Sequence, residues 1–243
     1  AIGRPMEYPL AVALGALEPR AMAQVAQVLA EIGYPRSLPY LKTVLESDQL
    51  PAETRRVVEQ SYRRILAGAS VPADASAAQL HLILSRNVYQ LSTAHREELP
   101  GFDSALGKGL VWRFDRESGL LSTAVPGDIF GDVLAMRGSA AALKLKPDLD
   151  EALSLWLAAN YRRELRLPQG ETDPSYPSDM KPANFYGQLA GPQRLHDVLA
   201  LALRHRDIDL AIAAIQSLGE IAGTKDLVNL EGANQPLVEA LYY

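Results

Sequence analysis

Apolar residues recur along most of this chain at steps of three and four, the repeat of one face of an α-helix. The runs are separated by breaks rich in Pro, Gly and Asp. Met22, Val25, Ala26, Val28, Leu29 and Ile32 fall on one face, and Gly33 followed by Pro35 predicts the end of that helix. Ser37 is placed as an N-cap for a helix carrying Leu38, Leu41, Val44 and Leu45. Pro51 stands where a first helical turn tolerates proline, opening a helix through Val57, Val58, Tyr62, Ile65 and Leu66 to Gly68. Further helices are predicted over 76–95, 127–145, 148–165, 192–206 and 207–222, with a last fragment near 234–243.

Two stretches depart from this rule. Leu110 to Phe114 and Leu120 to Val125 are β-formers flanking the turn-like Asp115-Arg116-Glu117-Ser118-Gly119, which predicts a hairpin over about 110–125. Residues 168–184 hold Pro168, Pro174, Pro177 and Pro182, so they read as a long ordered loop or a mobile linker.

Sliding the chain on itself by 189 positions aligns Leu29-Ala-Glu-Ile-Gly with Leu218-Gly-Glu-Ile-Ala, and continues through Arg36/Lys225, Leu38/Leu227 and Leu41/Leu230. Such a repeat predicts helical hairpins whose apolar faces only a neighbouring hairpin can cover. At these residues the chain resembles HEAT repeats, which end their second helix with a phrase like Leu29 to Gly33 and Leu218 to Ala222. The family also favours an Asp in the inter-helix turn, where Asp48 and Asp207 stand. Its usual Val-Arg after that turn is reversed in Arg56-Val57, and the arginine is missing at Ala211-Ile212. The segment 128–165 resembles a tetratricopeptide repeat through Ala135, Ala142, Leu143, Pro147 and Leu157-Ala158-x-x-Tyr161. No peptide-carboxylate clamp is recognisable; Asn160 stands alone. Both resemblances imply an α-solenoid that presents surface to a partner and has no chemistry of its own.

Composition narrows the function classes. The 243 residues include no cysteine, which excludes disulfides, thiolate metal sites and a cysteine nucleophile. No apolar run approaches the ~20 residues of a membrane span. Lys and Arg number 24 against 29 Asp and Glu, a net charge of −5. Residues 1–67 carry +1, 68–147 are neutral, and 148–193 and 194–243 carry −3 each, so no segment has the excess that phosphate-backbone binding needs. The pairs Arg55-Arg56, Arg63-Arg64 and Arg162-Arg163 therefore read as solvated helix faces, Glu59 serving Arg55 and Arg63 at i,i+4.

His205-Arg206-Asp207 spells the kinase catalytic triplet, but Ile212 stands where an Asn is required, and the glycine-rich loop, strand lysine and Asp-Phe-Gly are absent. The triplet reads as the cap of one helix and the start of the next. Gly101 to Gly107-Lys108 has one residue too many for a phosphate loop and Gly109 in place of its Ser or Thr, leaving a flexible loop. Ser178-Asp179-Met180-Lys181 fits the Ser-x-x-Lys of penicillin-recognising hydrolases, without the later Ser-Asp-Asn and Lys-Thr-Gly. His81, His95, His196 and His205 form no His-x-x-x-His pair and read as surface or capping residues, and neither a metal nor a cofactor is expected.

Trp112, Phe114, Trp156 and Tyr161 read as core, Trp156 filling the gap among small neighbours in an alanine-rich helix. Tyr176, Phe185 and Tyr186 lie in or just after a polar loop and are the candidate partner contacts, with anchoring of that loop as their competing role.

The sequence thus predicts an all-α, right-handed solenoid of HEAT, armadillo or tetratricopeptide type with a small inserted β-hairpin. Residues 1–67 are expected to be HEAT-like, 68–167 tetratricopeptide-like, 168–189 a Pro-rich loop and 190–243 HEAT-like and truncated. Leu237, Val238, Leu241, Tyr242 and Tyr243 form an apolar face with nothing after it, which predicts a fragment of a longer repeat protein or self-association through that helix. The expected function is a non-enzymatic scaffold for a protein or peptide. The alternatives are a hydrolase using Ser178, Asp179 and Lys181, and a nucleic-acid-binding solenoid.

Overall fold

The computed structural model describes residues 3–221, which are mostly helical with one small antiparallel sheet. Helices α1 (Glu7–Ala13), α2 (Pro19–Ile32), α3 (Leu38–Leu45), α4 (Ala52–Leu66) and α5 (Ala77–Ala94) precede strands β1 (Phe102–Asp103), β2 (Lys108–Asp115) and β3 (Gly119–Pro126). Helices α6 (Gly127–Leu145), α7 (Asp150–Arg166), α8 (Ala183–Ala190), α9 (Pro192–Arg204) and α10 (Ile208–Glu220) follow.

Local chemistry accounts for the element ends. Gly33 takes φ +73° and its N–H bonds the carbonyl of Leu29 at 2.9 Å, so α2 stops where glycine alone adopts the left-handed turn at low cost. Ser37 stands at the N-cap position of α3, yet its hydroxyl donates to the carbonyl of Tyr34 at 2.7 Å and caps nothing. Its backbone is already in the α region, unlike the extended backbone of a capping serine. Pro51 lies just before α4 and not in its first turn. Helix α5 opens on a capping box that the sequence reading missed: Ser76 Oγ accepts from the Gln79 N–H, and Gln79 Oε1 accepts from the Ser76 N–H.

The hairpin forms as expected, Asp115 facing Gly119 across its turn, and Asp115 Oδ1 accepts the N–H groups of Glu117 and Ser118. The segment from Gly101 to Gly107 is a folded turn and not a loose loop. Strand β1 pairs with β2, and Asp103 Oδ1 accepts the N–H groups of Ala105 and Leu106. The predicted loop 168–189 also ends early, because α8 begins at Ala183. Pro182 needs no N–H just ahead of a helix, and Glu164 from the last turn of α7 accepts the Ala183 N–H at 2.9 Å. That cap comes from another helix, so no local pattern announced it.

Two apolar clusters make the core. One gathers Leu14 from the turn after α1 and Leu29, Leu38, Leu41, Val58 and Ile65 from α2 to α4, with Ala75 and Leu80. The other runs from Leu82 and Tyr89 through Phe130 and Leu157 to Leu199 and Leu210. Tyr40 packs against both, and α5 contributes Leu80 to one and Leu82, Val88 and Tyr89 to the other. Helix α5 lies on α6, α6 on α7, α7 on α9 and α9 on α10, while α8 bridges α7 and α9. The predicted helix 234–243, its apolar face and the repeat positions Lys225, Leu227 and Leu230 lie outside the described residues.

The sheet lies on α6, and the fit is closest where the Phe130 ring covers Gly109. A Cβ at that glycine would stand 2.0 Å from the ring. Gly109→Ala is expected to cost about 1–3 kcal/mol by overpacking, seen as a lower urea midpoint at unchanged slope.

Candidate functional site

The loop after α7 is held by side chains of α7 itself. Buried Arg163 lays its guanidinium over the Tyr176 ring, 3.8 Å from the centroid, and donates through Nε and Nη2 to Asn160 Oδ1 at 3.1 and 3.0 Å. Asp173 faces Arg163 at 3.5 Å and accepts from both the N–H and the hydroxyl of Ser175. The Tyr176 hydroxyl donates to the Lys181 carbonyl at 3.0 Å, and the Tyr186 hydroxyl accepts from the Lys181 N–H at 3.3 Å. The Tyr186 ring meets Trp156 edge-on at 5.3 Å.

The structure thereby separates the three candidate contact residues. Tyr176 and Tyr186 are half-buried against the core and anchor the loop, whereas Phe185 is exposed. Leu189, one turn further along α8, is 75% exposed and continues the same face. Trp156 packs partly buried against the core, in the role read for it.

Arg162, the next residue along α7, points about 100° away and enters a different environment. It is buried against fully buried Asp132 of α6, with Nε 2.7 Å from Oδ1, and donates through Nη2 to the Tyr89 carbonyl of α5 at 2.7 Å. Its guanidinium covers the Tyr89 ring at 3.4 Å. Burial pushes the Asp132 carboxyl above the usual carboxylate range, and the Arg162 charge pulls it back. Arg166, one turn on, reaches Asp207 Oδ2 at 2.9 Å, and Asp207 Oδ1 accepts the Leu210 N–H at the start of α10.

Of the arginine pairs, Arg63-Arg64 keeps a solvated face, while Arg55 and the pair Arg162-Arg163 do not. Arg63 pairs with Glu59 at 2.5 Å as expected, but Arg55 donates to the Leu45 and Ser47 carbonyls, joining α4 to the end of α3. Arg162 and Arg163 are buried altogether. Backbone carbonyls and a buried carboxylate are stronger attractions for a guanidinium than an exposed carboxylate in water.

The histidines divide similarly. His205 ends α9 and Asp207 caps α10, the capping role read for that triplet, and His95 ends α5. His81 and His196 are buried, contrary to the surface reading, because each rides on the apolar face of its helix. Ser178, Asp179 and Lys181 are all exposed, without the burial that lets a lysine share a serine proton. Between α5, α7 and α9 runs a groove of about 420 Å³ in which Arg86 pairs with Glu151, and Arg194 with Asp150 and Asp197, while Arg204 also lines it. Among the described residues no group of three His, Asp or Glu could hold a metal ion, and no helix is long and apolar enough to cross a membrane.

No protein-family model, curated protein or solved structure matches the chain.

The buried pair gives a direct test. Arg162→Met leaves buried Asp132 with only the Arg166 guanidinium at 3.8 Å and is expected to cost about 3–5 kcal/mol, whereas Arg162→Met with Asp132→Leu recovers most of that loss. Urea unfolding of the single and double variants checks the difference.

Proposed function

We propose that this protein is a non-enzymatic interaction scaffold, a right-handed α-solenoid that is HEAT-like at its ends and tetratricopeptide-like in its centre and binds a protein partner. The neighbour-on-neighbour packing from α5 to α10 supports the architecture. The exposed apolar groove between α9 and α10 carries the functional reading. Ile208, Ile212 and Ile215 stand at i, i+4 and i+7 of α10, all exposed, Ile208 to 66%. With Leu203 and Ala211 they border a cavity of about 190 Å³. Three exposed isoleucines on one helix face suit an apolar segment of a partner better than water. Of the two charged side chains that line it, Asp207 is paired with Arg166 and Arg206 is a permanent cation, so neither offers a nucleophile or base.

A photo-crosslinker at position 212, with one at exposed Gln60 as control, tests this in native extract. One protein partner is expected at 212, lost with Ile208→Asp, a change that weakens binding at least about tenfold and alters stability by less than about 0.5 kcal/mol. Crosslinks equal at both positions would remove the groove as the binding surface. Ester or amide turnover that vanishes in Ser178→Ala would replace the scaffold with the hydrolase.

A further inference from the structure

Helices α1, α3, α5 and α6 and strand β2 do not close fully on one another. They leave a cavity of about 240 Å³ that shares no lining residue with the α9–α10 groove. An apolar cavity of ~150 Å³ admits benzene, so this one has room for a ring with one or two substituents. Its walls are mostly apolar, with Val12, Leu84, Val88 and Leu134 beside the rings of Tyr8, Tyr40 and Trp112.

Four polar side chains also line it: Glu7, Arg36, His81 and Arg137. Glu7 is only 2% exposed, and its Oε1 has no partner among the described residues. His81 is 4% exposed, and its Nδ1 likewise has none. The state of that ring follows from its neighbour. The Thr43 hydroxyl spends its one proton on the Pro39 carbonyl at 2.8 Å, so toward His81 Nε2, at 3.1 Å, it can only accept. In that arrangement Nε2 carries the hydrogen and Nδ1 is a bare acceptor. Burial holds the ring down to about 4, so it is neutral at pH 7. Arg137 donates to the Trp112 carbonyl at 2.7 Å, and Arg36 donates to the Glu98 carbonyl at 3.1 Å. Each of these two guanidiniums has further N–H groups.

Unpartnered buried polar atoms are costly and rare in folded proteins. Here two of them, one an acceptor, share a cavity with two cations and three aromatic rings. We propose that the cavity binds a small aromatic carboxylic acid bearing a ring hydroxyl, its carboxylate met by Arg36, Arg137 and the Glu7 carboxyl, its hydroxyl donating to His81 Nδ1. An amine is disfavoured by the two guanidiniums, and a plain hydrocarbon leaves both polar atoms without partners.

Glu7 makes binding depend on pH. The groups around it are Arg36 from the turn before α3, Tyr40 of α3, His81 of α5, Arg137 of α6 and its neighbour Tyr8. Burial pushes its carboxyl up to about 7, with Arg36 pulling it back. Below pH 7 Glu7 is protonated and can donate to the ligand carboxylate; above it the two carboxylates repel.

The probes are 4-hydroxybenzoate, benzoate and 4-hydroxybenzylamine, titrated into the full chain carrying Trp156→Phe so that Trp112 alone reports by fluorescence. The expected result is saturable binding of 4-hydroxybenzoate, about tenfold tighter than benzoate, and weakening about tenfold between pH 6 and 8. Glu7→Gln, nearly isosteric, keeps the binding and flattens the pH profile. Absence of saturation with either acid, tighter binding of the amine, or a pH profile unchanged by Glu7→Gln overturns the proposal.

Discussion

The contact between Arg162 and Asp132 organises the larger part of this molecule. Both groups are removed from water, a loss that only close pairing and extra hydrogen bonds offset. Those requirements bring three helices to one point: Asp132 from α6, Arg162 from α7, and the carbonyl and ring of Tyr89 from α5. Arg166 extends the pair by one turn to Asp207, which caps α10. The position of α10, and so the groove bordered by Ile208, Ile212 and Ile215, depends on charges that a folded core excludes unless they are matched.

Helix α7 acts as the hub because consecutive residues on a helix face different directions. Asn160 and Arg163 serve the following loop, the Tyr161 hydroxyl meets Ser217 of α10 at 2.7 Å, and Arg162 and Arg166 serve α5, α6 and the start of α10. Few positions in this helix are left to solvent, which explains why the loop of four prolines is ordered although it has no helix or strand before α8. The Tyr176 ring stacked on the Arg163 guanidinium supplies the apolar contact there, and the loop's own carbonyls and amides supply the rest.

The cavity at the other end follows a different logic. His81 is held neutral and Glu7 is held protonated, so each favours folding in an opposite pH range. The His81 contribution is complete above its ordinary value of 6.5 and is lost as pH falls toward 4. The Glu7 contribution is complete below its ordinary value of 4.5 and is lost as pH rises through about 7. Between 4.5 and 6.5 folding releases a proton from one group and takes one up on the other, and the two slopes oppose. The cavity's polar pair is thereby tolerated over mildly acidic pH at little net dependence.

The helical periods of α2, α4, α5, α6, α7, α9 and α10 and the hairpin around Asp115 were all legible in the sequence. Apolar spacing and turn chemistry are local, and each reports which face of its own element avoids water. The caps at His205 and Asp207 were legible for the same reason. Polar burial was not. Asp132 lies 30 residues from Arg162 and Tyr89 lies 73 away, and Glu164 reaches across 19 residues to start α8. In the sequence Arg162-Arg163 was indistinguishable from the exposed Arg63-Arg64, and Tyr176 and Tyr186 from Phe185. A hydrophobic side chain carries its preference for the interior wherever it stands, so sequence alone determined most of the elements and their buried faces, though not α1, β1 or α8. A charged or hydroxyl-bearing side chain enters the interior only where a distant partner meets it, and that meeting exists only in the tertiary structure.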